Sequence, residues 1–139
     1  MEGRDGSALL APFGAAYAAL MGLRNWAYDS GVIPVHRVAA PVLSVGNLSA
    51  GGTGKTQMVE FLLRALSTSR AKVAVVSRGY GRQGTAPVVV SEGGGPLCDA
   101  STAGDEPYQI ARKYPEAIVL VDSERARAAA LAVERYAAR

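Results

Sequence analysis

The run Leu48-Ser49-Ala50-Gly51-Gly52-Thr53-Gly54-Lys55-Thr56 carries the clearest chemistry in the chain. Glycines at 51, 52 and 54 let backbone N–H groups turn inward around an anion, and a helix opening at the end of such a loop adds its partial positive charge. Lys55 has the reach for the β- and γ-phosphates of a nucleotide, and the Thr56 hydroxyl is a ligand type that suits Mg²⁺. Ser49 departs from the strict G-x-x-x-x-G-K-[ST] pattern, which asks for Gly at that position. Ala50 stands where membrane-cycling and partitioning ATPases carry an extra Lys, which sets the loop apart from theirs. Ser49, Ala50, Gly51, Gly52, Thr53, Gly54, Lys55 and Thr56 are therefore the expected nucleotide-binding residues, with Thr56 on the metal.

Three further clusters sit where apolar runs give way to polar residues. Ser77-Arg78-Gly79-Tyr80-Gly81-Arg82 offers two arginines between glycines. They suit either an anion clamp, with Tyr80 stacking or donating, or a solvated turn. Gly104-Asp105-Glu106-Pro107 opens a helical pattern. Asp105 serves there either as an N-cap or as a carboxylate that accepts a proton from an attacking hydroxyl. Asp122-Ser123-Glu124-Arg125 closes an apolar run. Asp122 is the strand-end acid available for a metal shell, yet Asp122 or Ser123 is also placed to cap the next helix. Arg125 projects from that helix's first turn, and Arg127 and Arg135 are expected to be solvated. His36 falls in a connector and is given no role.

The elements that must position these residues alternate. Pro41–Gly46 (PVLSVG) reads as a buried strand, 54–66 as a helix, 72–77 and 87–91 as strands, 105–113 as a helix, 117–121 as a strand and 123–138 as an Ala-rich helix. This order predicts an α/β domain built on a mostly parallel sheet flanked by helices, of the P-loop NTPase type. Ligands on such sheets bind at the carboxyl ends of the strands, which selects the loops after Val45, Val76 and Val121.

Composition narrows the class. The 139 residues are 49% hydrophobic and carry a net charge of +3, with twelve of the fifteen basic side chains being Arg. This modest, dispersed excess suits anionic small ligands or an anionic membrane surface and is too weak to indicate nucleic-acid binding. One cysteine, Cys98, excludes an intramolecular disulfide and a Cys-rich zinc site.

Residues 6–23 carry no charge, and Leu9, Leu10, Phe13, Tyr17, Leu20, Met21 and Arg24 or Tyr28 recur at steps that place them on one helical face. Glu2 and Asp5 beside one Arg4 argue against a cleaved signal peptide. A short membrane span, an interfacial helix ending at Trp26 and Tyr28, and a helix packed on the domain's own core all accommodate the pattern; the interfacial helix fits better than the span.

Taken in order, the apolar helix, SVGNLSAGGTGKT, VVSRGYGR, AGDEP and VDSERARAA resemble the tetraacyldisaccharide 4'-kinase family, the lipid A kinases of Gram-negative bacteria. That family also lacks the first glycine of the phosphate loop. The resemblance implies transfer of the γ-phosphate of ATP to the 4'-hydroxyl of tetraacyldisaccharide 1-phosphate, with Mg²⁺, giving lipid IVA. It implies that Asp105 is the catalytic carboxylate, acting with a histidine, and that Arg78, Tyr80, Glu106 and Arg125 lie near the site. It implies a membrane-surface helix over 1–30, a connector over 31–41 and the amino-terminal part of the kinase domain over 42–139. The implied partners are ATP, the acylated disaccharide lipid and the cytoplasmic face of the inner membrane. Family members continue to a D-D-G-F-Q-H segment and the partner histidine, neither of which lies within these residues. The expectation is therefore an incomplete domain, inactive on its own. The alternative is a membrane-associated P-loop ATPase or nucleotide-binding module of another family.

Overall fold

The computed structural model describes residues 5–46, 54–69, 71–82 and 84–139. They fall into two compact units, Met1–His36 and Arg37–Arg139.

The first unit is one helix, α1 (Asp5–Asp29), with Pro12 inside it. Ala and Leu favour this conformation, and Pro12 removes one backbone donor from the ladder. Gly31, at φ 77°, ends the helix, and the Ile33 N–H reaches back to the Ala27 carbonyl at 3.0 Å. Phe13, Tyr17 and Leu20 are exposed along one face, but Leu23 and Trp26 lie off that face and are also exposed. The apolar surface thus extends beyond a single stripe. Among the described residues, no helix is long and apolar enough to cross a membrane.

The second unit is layered. Its elements are α2 (Lys55–Leu66), β1 (Ala74–Ser77), β2 (Val88–Glu92), α3 (Ala100–Ala103), α4 (Asp105–Lys113), β3 (Ile118–Val121) and α5 (Arg125–Tyr136). The sheet order is β1-β3-β2. The central strand reads Ile-Val-Leu-Val and is buried at all of its positions, as a strand covered on both faces requires. Its alternation divides the core. Val119 and Val121 pack with Leu63 of α2 and Ile110 and Ala111 of α4, while Ile118 and Leu120 pack with Ala128 and Ala132 of α5. Small alanines on α5 bring that helix close to the sheet.

Two expectations are corrected. The sheet is mixed, not mostly parallel: β1 runs parallel to β3, whereas β2 runs antiparallel to it. Among the described residues the link from β1 to β2 holds no helix, so it does not build the crossover that a parallel neighbour needs. The β2 register slips between Val89 and Ser91, and Ser91 turns its hydroxyl inward to the Ala117 carbonyl at 2.8 Å. Pro41–Gly46 forms no strand, and Val42 and Leu43 are exposed. An apolar run specifies a preference for burial, but a strand exists only where a neighbour completes its hydrogen bonds. Among the described residues no strand pairs with this segment.

Candidate functional site

Two glycines draw the strand ends and helix starts together. Gly79, buried just beyond β1, has φ 67°, and a Cβ there would lie 2.3 Å from Val121 Cγ1 at the end of β3. Gly104, at φ 89°, precedes α4, and a Cβ there would lie 3.3 Å from the Tyr80 carbonyl oxygen. Only glycine supplies both the left-handed backbone and the missing side chain at such contacts. The turn after β1, the start of α4 and the end of β3 therefore meet at one edge of the sheet.

The start of α2 joins the same edge. Gly54, at φ 74°, leads into the helix at Lys55 without a side-chain cap. Lys55 is exposed. The Thr56 hydroxyl donates to Glu106 Oε1 at 2.5 Å, tying the first turn of α2 to the first turn of α4. Farther along the same two helices, Lys113 Nζ donates to Glu60 Oε2 at 2.5 Å, and Glu60 is buried. Ser49, Ala50, Gly51, Gly52 and Thr53 lie outside the described residues.

Asp105 is the first residue of α4, and the cap position belongs to Gly104. The N-cap role open to Asp105 in the sequence is therefore not the one it takes. A glycine cap leaves the Asp105 carboxylate exposed at the positive end of the helix, and no hydrogen bond engages it among the described residues. Glu106, its neighbour, is engaged by Thr56.

The arginine-rich turn divides its residues. Arg82 Nη1 donates to the Ala86 carbonyl at 2.6 Å, which bends its head back onto its own loop. Arg78 is exposed, and Tyr80 stands 97% exposed.

Asp122 is not an open metal ligand. It is 1% exposed, and Arg127 donates to both of its oxygens, Nε to Oδ2 at 2.7 Å and Nη2 to Oδ1 at 2.8 Å. The Glu124 N–H adds a third bond to Oδ1 at 2.9 Å. The Arg127 hydrogen bond holds the carboxyl below its ordinary range against the opposing effect of burial. Arg127, expected to be solvated, is thus paired; Arg135 also approaches Glu92 at 3.5 Å. Glu124, not Asp122 or Ser123, occupies the cap position of α5, and Arg125 is exposed in its first turn.

The Thr56–Glu106 and Asp122–Arg127 pairs are not legible in the sequence. The first spans two helices fifty residues apart. The second crosses a strand-to-helix turn, where helical spacing rules do not apply. A cavity of about 270 Å³ opens at the opposite end of the sheet, between Leu63, Leu66, Lys72, Val73 and Ala117. It borders the amino ends of β1 and β3, away from the helix starts.

A mixed sheet covered on both faces by helices, with two acid- or base-bearing helix starts gathered at its carboxyl edge, defines an α/β domain with its binding edge formed by loops. The sequence profile of the tetraacyldisaccharide-1-P 4'-kinase family matches residues 6–139, and the chain belongs to that family. It is 48% identical over 132 residues to the tetraacyldisaccharide 4'-kinase of Syntrophotalea carbinolica, covering 94% of this chain and 37% of that protein. To the enzyme of the same name from Chlorobaculum parvum it is 40% identical, covering 100% of this chain and 38% of that one. The chain thus spans well under half the length of these curated relatives. A crystal structure of LpxK from Aquifex aeolicus in complex with ATP superimposes with a TM-score of 0.79 at 37% identity, covering 94% of this chain and 41% of that chain.

Proposed function

We propose that these residues form the nucleotide-binding part of a P-loop kinase that moves the γ-phosphate of ATP to the 4'-hydroxyl of tetraacyldisaccharide 1-phosphate, giving lipid IVA. The observation that carries this reading is the meeting of Lys55–Thr56 with Asp105–Glu106 at one sheet edge, in a chain of this family. A phosphoryl-transfer site needs an anion cradle beside a group that receives the acceptor's proton, and these two helix starts supply that pair.

In this reading Ser49 to Thr56 wrap the phosphates, and Lys55 neutralises their charge. The Thr56 hydroxyl fits a Mg²⁺ ligand, since its proton is already committed to Glu106 and its lone pairs remain for a cation. Bound there, the metal would screen the β- and γ-phosphate oxygens. Asp105, exposed and outside the cap position, accepts the proton of the sugar hydroxyl. In the same reading the exposed Arg78, Tyr80 and Arg125 serve the substrate's phosphate or the departing nucleotide.

An acylated disaccharide resides in a bilayer, so the kinase must work at a membrane surface. We assign that contact to residues 1–30, with Phe13, Tyr17, Leu20 and Trp26 of α1 meeting the inner membrane from its cytoplasmic face. Residues 31–41 then connect to the amino-terminal part of the kinase domain, 42–139.

The test uses protein expressed from the complete gene. Radiolabelled γ-phosphate should pass from ATP to tetraacyldisaccharide 1-phosphate and comigrate with lipid IVA. Hydrolysis of ATP at the same rate with and without lipid, and no labelled lipid product, would replace this reading with the P-loop ATPase.

A further inference from the structure

A hydroxyl group has one proton and two lone pairs, so a threonine that ligates a cation must send its proton to some other acceptor. Thr56 is the second residue of α2, with no carbonyl of its own helix one turn back, and it donates across to α4, to Glu106 Oε1 at 2.5 Å. That length is normal for an O–H···O⁻ bond.

We propose that Glu106 is a positioning residue, which fixes the Thr56 hydroxyl with its lone pairs turned toward the nucleotide's divalent cation and thereby ties metal binding to the helix that carries Asp105. The proposal rests on the kinase reading above. Three considerations support it. Glu106 meets the first turn of α2 at Thr56, which directly follows Gly54 and Lys55, so its acceptor sits at the start of that helix. A carboxylate behind a ligating group also raises that group's basicity, as it does behind a metal-bound imidazole. The third is the second tie between the same helices, Lys113 to Glu60, which stops α4 from rotating about the Thr56 bond and keeps the Glu106 carboxylate in register. Asp105 precedes Glu106 by one residue, so whatever seats Glu106 also seats the first turn from which Asp105 projects.

The experiment is calorimetric titration of the protein from the complete gene with ATP, once with excess Mg²⁺ and once with a chelator. Glu106→Ala should weaken Mg-ATP binding about tenfold or more, in line with losses on removing a ligand's supporting partner. Binding of metal-free ATP should match the wild type. Glu106→Gln keeps a carbonyl acceptor for the Thr56 proton and should recover most of the Mg-ATP affinity. In a Thr56→Val background, Glu106→Ala should have no further effect on the metal-dependent part. Equal damage by Gln and Ala would overturn the proposal in favour of Glu106 as a charged direct ligand. Equal loss with and without metal would overturn it in favour of a general structural role. Wild-type protein that binds no Mg-ATP would instead remove the kinase reading itself.

Discussion

Arg127, in the first turn of α5, grips both oxygens of Asp122, which stands just past the end of β3. The carboxylate is buried, whereas the guanidinium is half exposed, with 53% of its side chain accessible. The pair therefore satisfies an acid that the sheet edge would otherwise leave stranded, and it locks the strand-to-helix turn beside the Gly79 contact with Val121.

Acid should weaken this lock. The folded carboxyl titrates below its ordinary value of 3.8, so as pH falls the unfolded chain takes up the proton first. The contribution is complete above that value and disappears as pH drops through the lower, folded one. Urea denaturation at pH 7 and again near pH 3 should show a stability loss that Asp122→Asn reduces. At neutral pH, Arg127→Ala should also lower stability, because it leaves the buried Asp122 carboxylate without its main partner. Identical acid profiles for wild type and Asp122→Asn would remove this pair as the cause.

Gly79→Ala should be more damaging than its size suggests. The new methyl group would meet Val121 Cγ1 at 2.3 Å from a backbone held at φ 67°. Overpacking and left-handed strain together should cost about 2–3 kcal/mol and move the Tyr80 turn. Gly81→Ala is the useful control: its φ is 81°, but among the described residues nothing lies within 4 Å of the added carbon. Thermal melts that rank the two variants equally would mean that the Val121 contact is unimportant.

Catalysis and nucleotide binding should separate between the two helix starts. Asp105→Ala in the protein from the complete gene should lower kcat about 10²- to 10⁴-fold with little change in ATP affinity. Lys55→Ala should impair both, because in the proposed kinase its ammonium would face charge that is present in bound ATP and in the transition state. Steady-state kinetics over a range of ATP concentrations make the distinction. An Asp105→Ala enzyme with near-normal turnover would take the base role from this residue.

The exposed side chains of α1 should set membrane affinity. Replacing Tyr17 and Leu20 by Glu removes two apolar contacts and introduces two charges, so cosedimentation with anionic lipid vesicles should fall at least about tenfold. Activity on a detergent-dispersed substrate should fall far less. If vesicle binding survives the double substitution, the membrane contact lies elsewhere in the protein.

Much of the α/β pattern was open to reading because its causes are local. The 54–66 and 105–113 helices carry their own periodicity and glycine starts, and the unbroken Ile-Val-Leu-Val run states that both of its faces are covered. The chemistry was local too, since a Gly-Lys-Thr run and an Asp-Glu-Pro helix start need no partner to be noticed. Pairing is a different matter. Whether PVLSVG becomes a strand depends on another chain segment offering its edge, and among the described residues none does so. The direction of β2 likewise followed from its non-helical connection and from β3 as its neighbour.

The same division runs through the site. Residue types and spacing by themselves determined which groups could hold phosphate, take a proton or bind an anion, since those capacities belong to individual side chains and short loops. Only the tertiary structure decided which of them are free to act. It sent the Thr56 proton to Glu106, spent Asp122 on Arg127, bent Arg82 back to its own loop and left Asp105 exposed beside a glycine cap. The reason is physical: a hydrogen bond between residues far apart in sequence is set by the packing that brings their elements together, and that packing is a property of the whole core.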